Sequence, residues 1–185
     1  AISPMRLQLL HGRAARALEK LQPEAITALA YHFEAANDLN KAYTYFQRAA
    51  RQAEGLFSWQ EAVDHYSRMC QIVNELDPGC SRSESLVQCS DVLKNLVRLN
   101  HLQNKLSERD QNLERLESLA IQSHDQNTQL QAMAVRAFYL HQDGRYHEAV
   151  TLTESALVLA EELQDDATRG RLLAQLGFGL QFLGQ

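Results

Sequence analysis

The sequence predicts an all-α protein, a right-handed α-solenoid of about nine helices paired as hairpins. Apolar residues recur at the three- and four-residue spacing of an amphipathic helix along nearly the whole chain, and no segment shows the sustained alternation of a strand. Only 3 Pro and 8 Gly occur among 185 residues, so most of the chain must lie in long regular elements. The third observation is a self-similarity of the chain at one fixed offset, which favours an array of repeats over a compact bundle.

Capping residues and proline predict the bounds of the first two helices. Ser3 followed by Pro4 has the pattern of an N-cap and a first helical position, so the first helix is expected to begin there. Pro23 is expected to open the second helix in the same way. That helix is expected to stop near Asn37 and Asp38, because both residues favour turns.

The third and fourth helices are delimited by turn chemistry. Gly55 is expected to end the third helix, whose apolar residues fall on one face. Ser58 and Glu61 have the spacing of a capping box, in which each side chain bonds the other residue's backbone N–H, and are expected to begin the fourth helix. The run Asp77-Pro78-Gly79 is expected to end it.

Five further helices are predicted in the second half of the chain. The fifth is expected over about 83–102, and the stretch 104–107 is expected to separate it from the sixth. The sixth is expected to end near His124 and the seventh at Gly144, and the ninth is expected to carry Leu173, Leu176, Gly177 and Leu180. The boundary between the fifth and sixth helices is the least sharply marked in the sequence.

The fixed offset superposes residues of the same kind from three parts of the chain. The sets are Leu93, Met133 and Leu173; Val97, Ala137 and Gly177; and Asn104, Gly144 and Gly184. Small residues let two helices approach closely, and large residues nearby fill the groove between them. Each helix pair buries only part of its apolar surface, and the next pair buries the rest. One position breaks the pattern, since Arg109 stands where Ala149 stands one repeat later.

One segment of this repeat carries a recognisable motif. The sequence AFYLHQDGRYHEAVTLTESAL at 137–157 resembles a tetratricopeptide repeat (TPR). It has the small Ala137, the bulky Leu140, the turn residue Gly144 and the aromatic Tyr146 at the positions of that motif. The resemblance implies helix hairpins that bind partners through a concave face.

Two earlier segments extend the resemblance over residues 23–185. LAYHFEAANDLNKAYTYFQRAA at 29–50 resembles the same unit, although Asn37 stands at the usual turn glycine and the usual proline after the second helix is missing. FSWQEAVDHYSRM at 57–69 resembles a further second helix, so one helix is expected to serve two neighbouring pairs. The residues assigned to packing are Ala30, Phe33, Ala42, Phe46, Ala49, Ala62, Ala137, Leu140, Gly144, Tyr146, Ala149, Ala156 and Gly177.

The N-terminal third resembles a particular junction in large bacterial signalling ATPases. SPMRLQLLHGRAARALEKL, followed by the segment 29–69, is similar to the region after the nucleotide-binding and winged-helix part of MalT-like transcriptional regulators and of ATPases fused to nucleotide cyclases. This implies a fragment in which residues 1–22 form a helix at the junction to a missing upstream domain. The array at 23–185 would then stop in mid-repeat.

Several function classes are disfavoured by composition and motifs. The net charge of -5 speaks against a broadly basic surface, so direct nucleic-acid contact is not expected. No apolar stretch approaches the ~20 residues of a membrane span, no signal peptide is visible, and a cytoplasmic location is expected. The sequence has no phosphate-binding loop motif. We therefore predict no catalytic residue and no cofactor.

His and Cys residues are the candidates for metal ligands and reactive groups. The seven His are scattered, and only His141 and His147 come close, so no metal site is predicted. Three Cys cannot all be paired within one chain. Cys70 and Cys89 lie on apolar stripes and are expected to be buried and reduced, whereas Cys80 is expected in an exposed loop where a redox role stays open.

The first helix carries several basic residues. Arg6, Arg13 and Lys20 are spaced to lie near one face, with Arg16 close by. A solvated face is one interpretation, and docking onto an upstream ATPase domain is another. DNA contact is the least favoured, given the acidic total.

The TPR resemblance implies a ligand groove along the first helix of each pair. The residue after each small packing residue should point into it, together with residues one turn away. The candidate groove residues are Tyr31, Glu34, Lys94, Arg98, His101, Phe138, His141, Gln142, Phe178 and Gln181. Aromatic residues and Arg are favoured at binding hot spots. Whether Phe138 and Phe178 line the groove or fill the core between helix pairs is left open by the sequence.

The leading hypothesis is a non-catalytic protein-interaction and sensory array with a protein or peptide partner. The partner could be an ATPase domain of the same chain, and a homo-oligomer is left open. A free-standing TPR adaptor is the alternative, and a hydrolytic or metal-dependent enzyme is the third hypothesis. Such an enzyme would need a deep pocket with converging polar groups.

Overall fold

The all-α class is confirmed by the computed structural model, which describes residues 3–184. Within that range nine helices follow one another as sequential hairpins. Their bounds are α1 Pro4–Leu21, α2 Ile26–Ala35, α3 Leu39–Gly55, α4 Trp59–Leu76, α5 Ser83–Leu102, α6 Leu106–Ser123, α7 Gln126–Gln142, α8 Tyr146–Glu162 and α9 Asp166–Leu183. Consecutive helices pack on one another from α1 to α5 and from α7 to α9, and α7 also packs on α9.

The chain forms two compact units, one up to Arg109 and one from Asp110 onward. The first unit has a core of small residues on α3 and α4 with large side chains from α2, α4 and α5, among them Phe33, Met69 and Leu99. α1 belongs to this unit, because the Glu19 carboxylate accepts hydrogen bonds from α3. The boundary predicted after residue 22 stays a prediction.

The second unit buries a smaller core between α7, α8 and α9. Leu130 and Leu172 are completely buried and meet the small residues Ala156 and Ala160 of α8. The small side chains let these helices come close, and the leucines fill the remaining space. This is the packing pattern that the internal repeat predicts.

Residues with a left-handed backbone recur at the turns between helices, and from Asn104 onward they are evenly spaced. Outside the α4–α5 loop, which has its own pair at Gly79 and Cys80, these residues are Asn37 and Phe57, then Asn104, His124, Gly144, Gln164 and Gly184. The left-handed conformation reverses the chain after a helix and satisfies the last carbonyl groups. Glycine occupies only two of these positions, which is why the sequence pattern shows the turns at Gly144 and Gly184 most clearly.

Helix starts agree only in part with the predicted caps. Ser3 caps α1 as predicted, since its Oγ accepts a hydrogen bond from the Arg6 N–H. Pro23 does not open α2, because it lies in a turn closed by the Ala25 N–H to Gln22 O bond. Proline is equally suited to the second position of such a turn, and α2 begins three residues later.

The predicted capping box at the start of α4 is not formed. Ser58 occupies the N-cap position but its side chain makes no capping hydrogen bond. Glu61 lies with Oε1 3.6 Å from Nε2 of His65, one turn further along the helix. The Ser58 N–H instead donates to the carbonyl oxygen of Ala53 at 2.9 Å, so it is not available to the Glu61 carboxylate.

The expectation for the cysteines is wrong for two of the three. Cys80 and Cys89 form a disulfide, and both are buried, whereas Cys70 lies outside this disulfide and is half-buried. The α4–α5 loop folds back because Asp77 accepts hydrogen bonds from the Ser81 hydroxyl at 2.6 Å and the Arg82 N–H at 2.8 Å. These bonds hold the pKa of Asp77 well below its ordinary value.

Most residues assigned to packing are buried. The buried ones are Ala30, Phe33, Ala42, Phe46, Ala49, Ala62, Ala137, Leu140, Ala149 and Ala156. Tyr146 is half-buried, and Gly144 is an exposed turn residue with φ of 74°. Gly177 is exposed, and a Cβ built there would meet nothing within 4 Å. The close approach occurs at the buried Gly179 instead, so the predicted glycine is off by two positions.

Candidate functional site

The predicted groove residues fall in both compact units, and each set has its own surroundings. Tyr31 on α2 is well exposed, and its ring meets the ring of His11 edge-on at 5.5 Å. Glu34, one turn along, is half-buried and forms an ion pair with Arg68 of α4 at 3.3 Å. Both residues therefore lie at the surface formed by α1, α2 and α4.

The predicted groove cations on α5 are each held by a carboxylate. Arg98 donates through Nη2 to Oε2 of Glu54 on α3, and Lys94 pairs with Asp91 at 2.8 Å. His101 is half-buried, with Nδ1 3.5 Å from Nη1 of Arg109. The cations Lys94 and Arg98 thus belong to ion pairs on α5 and α3 rather than standing as independent charges.

A polar cleft lies between α3, α4 and α5, beside these ion pairs. Its volume is about 520 Å³. The residues that line it are Tyr43, Gln47, Arg51, Glu54, Tyr66, Met69, Gln88, Asp91, Val92 and Asn95. Burial, together with the nearby Asp91 carboxylate, raises the pKa of Tyr43 to about 12. Burial and the Glu54 carboxylate likewise raise the pKa of Tyr66, so both phenols stay protonated at neutral pH.

The sequence indicates the cleft only in part. The predicted groove residues Arg98 and Lys94 stand at its edge, but none of the lining residues is among those predicted. On α3 the lining follows the offsets 0, 4, 8 and 11 from Tyr43, and on α5 it follows 0, 3, 4 and 7 from Gln88. Polar residues at helical spacing on two helices are the available signal, and only the packing of this unit turns them into a cleft.

A pair of histidines joins α1 to α2. The Nδ1 atoms of His11 and His32 lie 2.8 Å apart, so one ring donates a hydrogen bond to the other and the pair cannot be doubly charged without breaking it. Burial, and to a smaller extent His11, lowers the pKa of His32. The pair is therefore a pH-sensitive contact within the first unit.

A second groove, with a volume of about 840 Å³, runs between α1 and the α2–α3 turn. Met5 and Leu9 on its α1 side are exposed, and Phe33 forms part of its lining. Arg6 and Arg16 line it as well, so two of the four basic residues noted on α1 border this groove.

The second unit presents aromatic side chains from α7, α8 and α9. Phe178 and Phe182 are 48% and 54% exposed, and their rings lie 4.8 Å apart. Phe182 also stacks on Tyr146 at 4.8 Å with nearly parallel planes. Phe138 on α7 is 41% exposed, so neither Phe138 nor Phe178 is a core residue. We call Tyr146, Phe178 and Phe182 the aromatic cluster.

His141 does not line a groove as predicted. It is 5% exposed, and neither ring nitrogen has a hydrogen-bond partner among the residues that the structure describes. Its ring packs near Phe178, 6.1 Å away, and Tyr146, 6.3 Å away, directly over Gly179. Burial lowers its pKa, because charging an imidazole inside this packing would forfeit hydration.

The remaining predicted residues of this unit are polar and exposed. Gln142 ends α7, and Gln181 lies on α9 between the two exposed phenylalanines. Over residues 3–184 no three His, Cys, Asp or Glu side chains converge in the arrangement of a metal site. None of the helices within that range has the length and apolarity needed to cross a bilayer.

Comparison with known proteins supports the fold and nothing finer. No protein-family model matches the chain, and no curated protein matches it in sequence. In structure it is similar to the crystal structure of BtubC (BKLC) from P. vanneervenii. The TM-score is 0.60, the likeness covers 100% of this chain and 85% of that chain, and the sequence identity is 16%. The chain therefore has an all-α, TPR-like fold of sequential helix hairpins, similar to that of BtubC.

Proposed function

We propose that this chain is a non-catalytic interaction module that binds a protein or peptide partner. The observation that carries the proposal is the exposed aromatic surface of the second unit, formed by the aromatic cluster and Phe138. Large aromatic side chains supply most binding energy at protein interfaces when they are buried by a partner. Half-exposed phenylalanines on two helices have this capacity, because a partner that covers them removes their remaining apolar area from water.

The close packing beneath these rings supports the same proposal. Behind the exposed rings lie His141, Gly179 and Val150, which pack closely together. Side chains held on packed helices lose little entropy on binding, so less of the interaction energy is spent on ordering them. A preformed surface of this kind suits recognition better than it suits chemistry.

The wider context that we propose is sensory. In this hypothesis the chain is the TPR-like arm of a multidomain bacterial signalling ATPase or transcriptional regulator. Contact along the arm would bias the attached ATPase between two states. The alternative is a free-standing adaptor. The sequence of the full-length gene distinguishes the two hypotheses. It contains a phosphate-binding loop motif if the chain is the sensory arm of an ATPase, and none if the chain is a free-standing adaptor.

The binding proposal is tested with a random peptide library displayed on phage and panned against the purified chain. We expect an enriched peptide that binds in fluorescence anisotropy. The double variant Phe178→Ser, Phe182→Ser should weaken that binding roughly tenfold or more, since two anchors are lost. The matched control is Val158→Ser, which removes an equally exposed apolar side chain from α8 outside the aromatic cluster.

Circular dichroism and melting temperature check that the variants remain folded. If the double variant loses its fold, Phe178→Tyr with Phe182→Tyr keeps the rings and should retain binding within a few-fold. The proposal is abandoned if no peptide is enriched on the wild-type chain, or if the serine and control variants bind alike.

A further inference from the structure

The polar cleft between α3, α4 and α5 has the form of a small-molecule site, which the aromatic surface lacks. It lies entirely in the first unit, and its volume of about 520 Å³ falls in the range of small-molecule sites. α3 and α5 carry its polar walls, and Tyr66 and Met69 of α4 contribute further lining. Such a cleft can surround a small ligand on three sides.

The charges of the cleft are almost, but not fully, balanced. Glu54 is paired with Arg98, and Asp91 with Lys94, so two cations at the edge neutralise the two carboxylates that line it. Arg51 lies on the same lining and makes no ion pair with the described residues. One positive charge is therefore left to attract an anion, and a guanidinium binds a carboxylate through two parallel hydrogen bonds.

A hydrogen-bond acceptor stands next to this cation. Oε1 of Glu54 is shielded from solvent and has no hydrogen-bond partner among the described residues, although Oε2 is engaged by Arg98. An acceptor that has lost water without gaining a donor is unfavourable, and a ligand N–H or O–H would relieve it after a small rotation of the side chain. Arg51 and Glu54 are three positions apart on α3, so their side chains start on the same helix face.

The remaining polar groups fit the same kind of ligand. The Tyr43 phenol is neutral at physiological pH and can donate to a ligand carboxylate, whereas the Tyr66 phenol already interacts with the carboxylate of Glu54. The carboxamides of Gln47 and Gln88 can both donate and accept. Asn95 is already committed, since its Nδ2 donates to the backbone of Asp91 and its Oδ1 accepts from Arg98.

We propose that the polar cleft binds a small organic acid with a hydrogen-bond donor on the carbon next to its carboxylate, that is, an α-amino acid or an α-hydroxy acid. The carboxylate pairs with Arg51, and the adjacent donor faces Glu54 and Asp91. This goes beyond the partner surface of the second unit, and neither proposal depends on the other. Under the sensory hypothesis, on which the binding itself does not rest, a ligand held between α3 and α5 would act as the small-molecule effector.

Isothermal titration of the purified chain tests the proposal with four sets of compounds. These are the amino acids, the hydroxy acids of the same carbon skeletons, the amines that lack the carboxylate, and the amides that lack its charge. We expect saturable one-site binding for a member of the first two sets and none for its amine or amide. Comparing the first two sets shows which donor the cleft prefers.

The Arg51→Gln variant should raise the Kd of that compound roughly tenfold or more, because a charge-assisted hydrogen bond is lost. The Kd for Arg51→Lys should lie between the values for Arg51→Gln and the wild type, since lysine keeps the charge but lacks the planar guanidinium. Arg48→Gln is the matched control on the same helix, because Arg48 lies over the ring of Tyr45 and not on the cleft lining. The Kd of the compound for this control variant should equal that for the wild type.

A second variant tests the carboxylate that faces the donor group of the ligand. Asp91→Asn should weaken the binding of an α-amino acid more than the binding of the matching α-hydroxy acid, because only the amino acid carries a positive charge. The proposal is overturned if no organic acid binds at millimolar concentration, if the amine or amide binds as well as the acid, or if Arg51→Gln and Arg48→Gln behave alike. If the compound stops binding only when Phe178 is substituted, the proposal for the polar cleft is overturned and the proposed partner surface is not.

Discussion

Gly179 is the residue at which the packing of the second unit is tightest. A Cβ added there would stand 2.5 Å from Cε1 of His141 and 2.8 Å from Cγ2 of Val150. Both distances are too short for a real contact, so these side chains would have to move. The sequence offers two glycines in this helix segment, and only their neighbours distinguish the structural one.

We expect Gly179→Ala to lower the free energy of unfolding by about 1–3 kcal/mol through overpacking. Gly177→Ala should instead leave it unchanged or raise it by up to about 1 kcal/mol, because alanine favours the helix and meets no neighbour there. Urea denaturation of the two variants measures the difference. Equal effects of the two substitutions would contradict the close approach at Gly179.

Phe138 is half-exposed, and its truncation measures how much this side chain stabilises the fold. We expect Phe138→Ala to cost less stability than Leu130→Ala. Leu130 is completely buried, and leucine truncation in a core costs about 2–5 kcal/mol. Chemical denaturation compares the two. A loss for Phe138→Ala as large as that for Leu130→Ala would place this ring in the core and remove it from the proposed partner surface.

At the scale of helices, the disulfide ties α5 to the loop after α4. Cys80 and Cys89 are separated by 9 positions in the sequence, and closing this loop restricts the unfolded chain. We expect the double variant Cys80→Ser, Cys89→Ser to be less stable than the oxidised wild type by about 2–3 kcal/mol.

The control for this prediction is the response to reductant. Reduction should lower the stability of the wild type towards that of the double variant and should leave the double variant unchanged. Guanidinium denaturation with and without reductant measures both effects. If the guanidinium midpoint of the wild type does not change with reductant, the disulfide contributes nothing to the stability of the fold.

The docking of α1 on α2 should depend on pH through the His11–His32 pair. The pKa of His32 is lowered from its ordinary value of 6.5 in the folded chain, chiefly by burial. The unfolded state therefore takes up a proton first, and stability that is complete above about pH 6.5 is lost as the pH falls through the folded-state pKa.

Amide hydrogen exchange of α1 measures this effect locally. We expect its protection factors, corrected for intrinsic exchange, to fall between pH 7 and pH 5 in the wild type. The change should be much smaller in His32→Gln, which removes the titrating pair. His124→Gln, in the other unit, is the matched control and should keep the wild-type response. Identical pH responses in both variants would exclude the histidine pair as the cause.

At the scale of the whole molecule, the helix contacts join neighbours in sequence. Within each unit a helix packs mainly on the one before and the one after it, and further contacts reach the next helix but one, as between α7 and α9 and between Arg98 of α5 and Glu54 of α3. Chains with such local contacts close only short loops on folding, so the entropic cost of reaching the transition state is low.

We expect the main refolding phase to be complete within milliseconds, as for other helical proteins of low contact order. Stopped-flow fluorescence of Trp59, which packs on the core of the first unit, reports that phase. A main phase lasting seconds would contradict the dominance of local contacts. Minor slow phases from the prolines would not, because proline isomerisation in the unfolded chain is slow in any fold.

Much of this architecture can be predicted from the sequence. Apolar periodicity and the scarcity of proline and glycine determine the all-α class, since helix formation depends on residues three and four positions apart. The internal repeat, with its small residues such as Ala137 and Ala149, determines that helices pair as hairpins. The turn at Asn37 and the N-cap at Ser3 follow from the same local chemistry.

The tertiary structure alone decided the features that depend on which helix faces meet. It buried His141 instead of exposing it, joined Cys80 to Cys89, and placed the close contact at Gly179 rather than Gly177. It also brought the polar stripes of α3 and α5 together around one cleft that contains Arg51. Packing angle and helix rotation set these contacts, and neither is recorded in the spacing of residues along a single helix.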